Sequence, residues 1–245
     1  MNNNKEELFD SNGCLNMDAY MSLPFRNNDG QVGAVFGPDN RKKVVDTTVP
    51  PYHAIVRLLI KDKKGTYRGT GFMIAKDIML TAGHNLYDFQ DKLYADEIQI
   101  FRGDAASDPR MMLKWIVSQK YIDQNTDDWA VVKTSVNTAD PAPTLQYKNP
   151  GLIRSLSDAE IAGFPKTVSG VGATGMYTEK GGVTKGNGIL QYKICTSGGN
   201  SGSPVMVKEE GETYAIGIHV CGNEKAEVNE ATIIHPDVIQ AIGKI

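Results

Sequence analysis

The chain has 245 residues, of which 40% are hydrophobic and 22% are charged, and its formal net charge at pH 7 is −3. This composition is typical of a globular protein and excludes a disordered or fibrous chain. Basic residues are scattered and the balance is slightly acidic, so we expect no nucleic-acid partner. No apolar run approaches the roughly 20 residues that a membrane-spanning helix needs, so we expect no membrane partner.

The first 34 residues differ in composition from the rest. They contain seven asparagines, three glycines and Pro24, and they show no sustained hydrophobic period. Such a segment buries little apolar surface, so we expect residues 1–34 to be a mobile leader, arm or tag remnant. The first ten residues show neither a basic region nor an apolar core, so the pattern predicts no signal peptide.

Short β-strands dominate the pattern from Tyr52 onward. The first series of predicted strands covers residues 53–61, 67–75, 78–81, 97–102, 113–120 and 129–134. After a proline-rich break, a second series covers residues 160–164, 188–194, 204–207, 213–220 and 231–234. Only the C-terminus shows helical spacing, beginning at Pro236. Many short strands and almost no helix predict an all-β fold of two packed antiparallel β-barrels, divided into residues 35–140 and 141–245.

Three motifs could carry chemistry. Gly198 to Pro204 places glycines on both sides of Ser201, which lets the backbone turn sharply and present the hydroxyl and nearby N–H groups. Thr81 to His84 ends an apolar strand with a histidine, the usual base for a serine nucleophile. Asp127 and Asp128 precede a buried strand, where an aspartate can orient that histidine. Alone, the serine motif is explained about as well by a polar loop, a histidine after a strand more often has a structural role, and an Asp-Asp pair is usually a turn. Together the three motifs give the order His, Asp, Ser.

With these motifs the sequence resembles the glutamyl endopeptidases of Gram-positive bacteria, a branch of the chymotrypsin-type serine proteases. The resemblance rests on Thr-Ala-Gly-His at residues 81–84, on Asp-apolar-Ala-aliphatic at 128–131, and on Gly-Gly-Asn-Ser-Gly-Ser-Pro at 198–204. It covers nearly the whole chain from Val35 onward, and it implies two six-stranded β-barrels followed by a short helix. It also implies a secreted serine endopeptidase that needs no cofactor or metal and acts as a monomer.

The resemblance assigns roles residue by residue. His84 would be the general base, Asp128 its orienting partner and Ser201 the nucleophile, while the N–H groups of Gly199 and Ser201 would form the oxyanion hole. Thr196, five residues before the serine, and His219, in a Gly-Ile-His segment, would form the pocket for an acidic side chain. A threonine hydroxyl and a histidine ring can replace the water around a carboxylate. We therefore expect polypeptide substrates with cleavage after Glu and weaker cleavage after Asp.

Mature members of this family begin with Val-aliphatic a little before an Asp/Asn-Thr-Thr stretch, and here Val35-Phe36 precedes residues 46–48. The resemblance thus implies that residues 1–34 are a propeptide remnant and that Val35 becomes the N-terminus. It also implies that the α-amine of Val35 contributes positive charge near the substrate carboxylate. The bond between Ala34 and Val35 follows neither Glu nor Asp, so we expect an activating protease that acts in trans.

Other interpretations stay open at the sequence level. One is an exfoliative-toxin-like protease with a narrow substrate choice, and another is an inactive protease fold that serves as a binding module. A cysteine peptidase acting through Cys195 is a weaker alternative. Cys195 and Cys221 flank the two pocket segments and could form a disulfide, and the acidic residues 88, 91, 96 and 97 could hold calcium.

Overall fold

The structure, a computed structural model, describes residues 8–24, 33–103, 105–136 and 143–245. The strands of the first half are β1 (Lys42–Lys43), β2 (Ile55–Lys61), β3 (Thr66–Ala75), β4 (Ile78–Thr81), β5 (Tyr87–Asp88), β6 (Leu93–Tyr94), β7 (Glu97–Arg102), β8 (Arg110–Val117) and β9 (Ala130–Thr134). Those of the second half are β10 (Gln146–Tyr147), β11 (Ala159–Gly163), β12 (Thr167–Val168), β13 (Val171–Gly172), β14 (Tyr177–Gly181), β15 (Val183–Lys185), β16 (Ile189–Tyr192), β17 (Pro204–Glu209), β18 (Glu212–Asn223) and β19 (Val228–Ile233). The helices are α1 (Met17–Ser22), α2 (Gln119–Gln124) and α3 (Pro236–Ile242), and 3₁₀ turns lie at Tyr52–Ala54, Gly83–Asn85 and Pro150–Leu152.

Six strands of the first half close into a barrel in the order β2, β3, β4, β9, β8, β7. Alternate residues of β2 point inward, so Val56, Leu58 and Ile60 are buried inside the barrel, while Arg57 and Leu59 point outward. This alternation is the period of two that a strand imposes on its side chains.

The second half is a larger antiparallel sheet that curls around its own core. Its strand order is β1, β14, β11, β17, β18, β19, β16, β15, and β10 pairs in parallel with β18. Residues of β11, β16, β17 and β19 form its interior, and a further core cluster joins the two halves and packs against α3 through Val238 and Ala241. The predicted all-β fold with a C-terminal helix is confirmed, with two differences: the second sheet includes a strand from residues 42–43, and its strand order does not close.

One local expectation is wrong. The strand predicted at 113–120 ends at Val117, because the Ser118 hydroxyl caps α2 by accepting the Tyr121 N–H at 3.4 Å. The helix then ends at Asn125, which has a left-handed backbone. The predicted boundary between the halves, at residues 140 and 141, lies outside the described residues.

The leader is not featureless where the structure describes it. Asn16 caps α1 by accepting the N–H groups of Asp18 and Ala19. Leu15 and Tyr20 are buried against outward-facing Leu59 and Phe101 of the first barrel. The expectation of a mobile arm is therefore wrong for residues 8–24, because apolar residues spaced by three to five positions form one face of a short helix.

No helix within the described residues is long and apolar enough to cross a membrane.

Candidate active site

His84 and Asp128 lie together because two neighbouring strands meet at the same place. Strands β4 and β9 are antiparallel, with Thr81 opposite Ala130. His84 follows β4 in a 3₁₀ turn, and Asp128 comes two residues before β9. His84 Nδ1 lies 2.6 Å from Asp128 Oδ2, and the His84 N–H donates to Asp128 Oδ1 at 2.9 Å. Both side chains are buried, so the carboxylate holds the imidazole ring in one orientation.

Ser201 lies in a turn, just before β17, that needs glycine on both sides. Gly199 and Gly202 have φ angles of 94° and 90°, in the region that favours glycine. A Cβ atom on Gly199 would overlap the carbonyl oxygen of Phe164, and one on Gly202 would overlap the carbonyl oxygen of Thr70. The backbone angles and the lack of room for a Cβ atom therefore both require glycine at positions 199 and 202.

Backbone contacts hold Ser201 beside the histidine. Asn85, which follows His84, donates from Nδ2 to the Ser201 carbonyl oxygen at 3.1 Å, and the Thr70 N–H donates to the same oxygen at 2.9 Å. His84 Nε2 is buried and has no hydrogen-bond partner among the described residues. This nitrogen faces away from Asp128 and is available for a proton, and catalytic hydrogen bonds often tighten only when a substrate binds.

Two backbone donors next to Ser201 are unused. Within the described part of the chain, neither the Gly199 N–H nor the Ser201 N–H donates a hydrogen bond. The Gly199 carbonyl accepts the Thr70 hydroxyl at 2.7 Å, and that hydroxyl accepts the Phe164 N–H at 3.2 Å, so the peptide is held in place. Fixed N–H donors beside a nucleophile can stabilise a developing oxyanion without reorganising.

Thr196 and His219 face one point in the second sheet. Both residues are fully buried, and neither Thr196 Oγ1 nor His219 Nε2 has a hydrogen-bond partner in the ranges that the structure describes. The His219 N–H donates to the Ser203 carbonyl oxygen and the Gly202 N–H to the His219 carbonyl oxygen, each at 2.8 Å, which places this pair next to the Ser201 turn. Buried polar atoms without partners are rare, so this pair is a candidate binding position.

Tyr192 lies behind His219. Its hydroxyl oxygen is 2.7 Å from His219 Nδ1 and 3.2 Å from the carbonyl oxygen of Glu230. Burial, with a contribution from the charge of His84, lowers the pKa of His219 to about 3, so its ring is neutral at pH 7. Burial raises the pKa of Tyr192 well above its ordinary value, so the hydroxyl keeps its proton. The Tyr192 hydroxyl has one proton, which it donates either to the Glu230 carbonyl oxygen or to Nδ1. In the second case the His219 proton is on Nε2, the atom that faces Thr196.

The end of the leader occupies the mouth of this pair. A Cβ atom on Gly33 would overlap Thr196 Oγ1 and would lie 3.0 Å from His219 Nε2. The Ala34 carbonyl accepts the Thr196 N–H at 3.1 Å and Asn229 Nδ2 at 2.7 Å, while the Ala34 N–H donates to Asn229 Oδ1 at 2.8 Å. Val35, the next residue, is 44% exposed. The bond between Ala34 and Val35 therefore lies between a fixed residue and an accessible one.

The neighbouring aspartate has a different partner. Asp127 Oδ1 lies 2.7 Å from His235 Nε2, and its other oxygen accepts the Trp129 indole N–H at 3.1 Å. His235 also caps α3 by accepting the Asp237 N–H. Asp127 therefore ties the terminal helix to the first barrel, whereas Asp128 contacts His84.

The cysteines are three free thiols, so the open possibility of a Cys195–Cys221 disulfide is not realised in this structure. Burial and the neighbouring Glu179 carboxylate raise the pKa of Cys195 to about 11, which opposes a thiolate nucleophile. Cys195, Asp39 and Glu179 lie close together, but Asp39 is already ion-paired with Arg41 at 2.7 Å.

Two of the four acidic residues considered for calcium, Asp88 and Glu97, have other contacts. Asp88 accepts the N–H groups of Gln90 and Asp91, and Glu97 pairs with Lys61 at 3.1 Å. Within the described ranges, residues 88, 91, 96 and 97 do not bring three ligand atoms together at one point.

Sequence reasoning missed Tyr192, Asn229 and Asn85. A tyrosine or asparagine in a strand or turn carries no distinctive pattern, and their importance depends on contacts across 27 to 195 residues of chain. The one available signal was Asn85, which directly follows the histidine motif.

Comparisons with known proteins agree with this geometry. The family model for the trypsin-like peptidase domain matches residues 69–218. A glutamyl endopeptidase of Bacillus licheniformis is 28% identical over 196 residues, which cover 76% of this chain and 58% of that protein. A glutamyl endopeptidase of Staphylococcus aureus is 29% identical over 212 residues, covering 82% and 61%. The chain thus spans about three fifths of the length of these relatives.

Solved structures show the same fold. A Glu endopeptidase in complex with MPD superposes with a TM-score of 0.74 at 24% identity, covering 86% of this chain and 98% of that chain. The protease Anisep from Arthrobacter nicotinovorans superposes with a TM-score of 0.67 at 13% identity, covering 82% and 96%. Because the family model spans more than half of the sequence, the chain belongs to the family of trypsin-like peptidase domains.

Proposed function

We propose that this protein is a serine endopeptidase that cleaves after Glu, and more weakly after Asp, and that it is made as a latent precursor. The observation that carries the specificity is the buried pair Thr196 Oγ1 and His219 Nε2, which have no partner in the described chain. Two desolvated polar atoms aimed at one point suit a ligand that accepts two hydrogen bonds, as a carboxylate does.

The catalytic roles follow from the contacts of three side chains. Asp128 holds the His84 proton on Nδ1, which leaves Nε2 as the base that takes the proton from the Ser201 hydroxyl. The serine oxygen then attacks the scissile carbonyl, and the oxyanion accepts the unused N–H groups of Gly199 and Ser201. His84 returns its proton to the leaving amine, and a water that His84 activates hydrolyses the acyl-enzyme.

The pocket accepts a carboxylate through neutral donors. Thr196 donates its hydroxyl proton, and His219 donates from Nε2 when the Tyr192 hydroxyl donates to Nδ1. A neutral donor pair compensates a desolvated carboxylate only in part. A new α-ammonium group at Val35 would add positive charge beside Thr196, since the Ala34 carbonyl already accepts the Thr196 N–H.

Latency is supported by the position of the leader. Gly33 fills the mouth of the pair, and Asn229 holds both polar backbone groups of Ala34. A substrate side chain cannot enter while these residues are in place. Cleavage near Val35 would release them, and because Ala34 is not acidic, a second protease acting in trans should make the cut. In this proposal the protein is exported from the cell and acts as a monomer.

The test is a cleavage profile of the full chain before and after processing. The purified chain is incubated with a trace of a protease of different specificity, its N-terminus is sequenced, and peptides with Glu, Asp, Gln, Lys or Phe before the scissile bond are compared. We expect activity to appear with an N-terminus at or within two residues of Val35, on Glu peptides first. A Ser201→Ala variant should be processed equally and remain inactive.

Each alternative predicts another result. Preferred cleavage after Lys or Phe would overturn the acidic specificity. Spontaneous maturation that Ser201→Ala blocks would overturn activation in trans. Cleavage of one folded protein but of none of the peptides would favour the narrow protease, and failure of the processed form to react with a fluorophosphonate would favour the binding module.

A further inference from the structure

Arg68 is a buried cation that the trypsin-like site does not use. It lies on the outward face of β3, opposite Leu59, and is 1% exposed. Its Nε and Nη2 atoms have no hydrogen-bond partner among the described residues, and its Nη1 donates only to the Met21 sulfur at 3.1 Å. A guanidinium group has five N–H donors and is almost always paired when it is buried.

Residues of the leader cover Arg68. The Tyr20 ring centroid lies 5.9 Å from its guanidinium carbon, Met21 supplies the sulfur contact, and the Pro24 carbonyl accepts its backbone N–H at 3.0 Å. Burial lowers the pKa of Arg68, which is the direction expected when a charge loses water without gaining a carboxylate. If the leader leaves, these contacts are lost and the guanidinium group meets the solvent.

Arg68 also lies next to the reacting centre. Thr70, two residues along the same strand and thus about 6–7 Å away, bonds to the Ser201 carbonyl oxygen. The following residue, Gly202, bonds to His219 of the pocket. Ser201 is therefore held between the pocket on the second sheet and the Arg68 strand on the first barrel.

One polypeptide can contact both places, since the leader does so at Gly33 and Pro24. A substrate that runs in the opposite direction to the leader, with its acidic side chain in the pocket, would place the residues after the scissile bond along β3. Once the Pro24 carbonyl has left, the Arg68 backbone N–H can donate to an extended peptide, and the guanidinium group suits a bidentate carboxylate. Arg57, on the same face with its guanidinium carbon 5.5 Å from the Tyr20 ring, adds positive charge.

We propose that Arg68 forms a second anionic subsite, which binds a substrate carboxylate within about three residues after the scissile bond once the leader has been removed. The leader thus covers two binding positions, and the processed enzyme prefers acidic segments over isolated acidic residues. This inference rests on the proposed function and on the removal of the leader.

The test uses the processed full chain and peptides with one Glu before the scissile bond. Glu or Gln is placed in turn at the first, second and third position after the bond, and amidated C-termini leave the side chain as the only carboxylate there. We expect kcat/KM to rise 5- to 20-fold for Glu over Gln at one of these positions, and the ratio to fall toward one in 0.5 M NaCl, because salt screens exposed charges. Arg68→Gln should abolish the ratio, Arg68→Lys should retain part of it, and Arg154→Gln, a control at an 81% exposed arginine side chain, should leave it unchanged.

A ratio near one at all three positions in the unmodified enzyme would overturn the subsite even if Arg68→Gln failed to fold. A preference that Arg68→Gln leaves intact would overturn the assignment to Arg68. Absence of cleavage of every peptide would instead refute the proposed function, so the two failures are distinguishable.

Discussion

The hydroxyl of Tyr192 should control the discrimination between a carboxylate and an amide. Tyr192→Phe removes one oxygen and keeps the ring, so the buried His219 Nδ1 loses its 2.7 Å partner. Leaving such an atom unsatisfied costs about 1–3 kcal/mol. If that energy is lost from the bound state, kcat/KM for a Glu peptide falls about 10- to 100-fold, since 1.4 kcal/mol corresponds to a factor of ten.

The assay compares two fluorogenic peptides that differ only in Glu or Gln before the scissile bond. For Tyr192→Phe we expect the Glu-to-Gln ratio to fall at least tenfold, while the rate of Ser201 labelling by a fluorophosphonate stays within about twofold, because that reaction does not use the pocket. The matched control is Tyr214→Phe, at a partly buried tyrosine of β18. An unchanged ratio, or equal losses on both peptides and on labelling, would refute the role of Tyr192 and indicate general damage to the fold.

Three further outcomes are expected. Asp128→Asn should lower kcat about 10⁴-fold with little change in KM, because His84 would no longer be held in the required tautomer; a loss below tenfold in steady-state kinetics would contradict the pairing. Gly33→Val should give measurable peptidase activity without processing, since a larger side chain would overlap Thr196; an unprocessed variant as inactive as the unmodified chain would show that the leader does not block the pocket through this residue. Acid should destabilise the fold through His219, whose pKa of about 3 lies below the ordinary 6.5. As pH falls, this histidine takes up a proton in the unfolded chain before it does so in the folded chain. The contribution of His219 to the free energy of unfolding is therefore complete above pH 6.5 and is lost toward pH 3. In urea titrations we expect the free energy of unfolding to decrease by about 2 kcal/mol between pH 7 and pH 5. His219→Asn should reduce this pH dependence, and an identical dependence in the variant would argue against a buried neutral ring.

Strand positions were readable from the sequence because they depend on local alternation and on turn residues. The approach of His84 to Asp128 follows from the same logic, since Thr81 and Ala130 pair and place both motifs at one edge. Helix α1 was missed because its asparagine-rich surroundings obscure one apolar face, and α2 because it continues directly from a strand.

The candidate site was less predictable where it depends on long-range contacts. Tyr192 and Asn229 contact the pocket and the leader through hydrogen bonds between distant parts of the chain, which no local pattern records. The contact of Gly33 with Thr196 could not be predicted from the sequence either, because the composition of residues 1–34 indicated an arm that does not pack on the rest of the protein. These contacts arise when the second sheet forms, and only the three-dimensional arrangement reveals them.

The most direct test of the account is the Glu-to-Gln ratio of kcat/KM for the processed full chain, measured beside the unprocessed chain and Ser201→Ala. The account predicts a ratio above about 100 for the processed chain, and no detectable turnover for the other two. A ratio near one in an active processed enzyme would contradict the assignment of Thr196 and His219 as a carboxylate pocket.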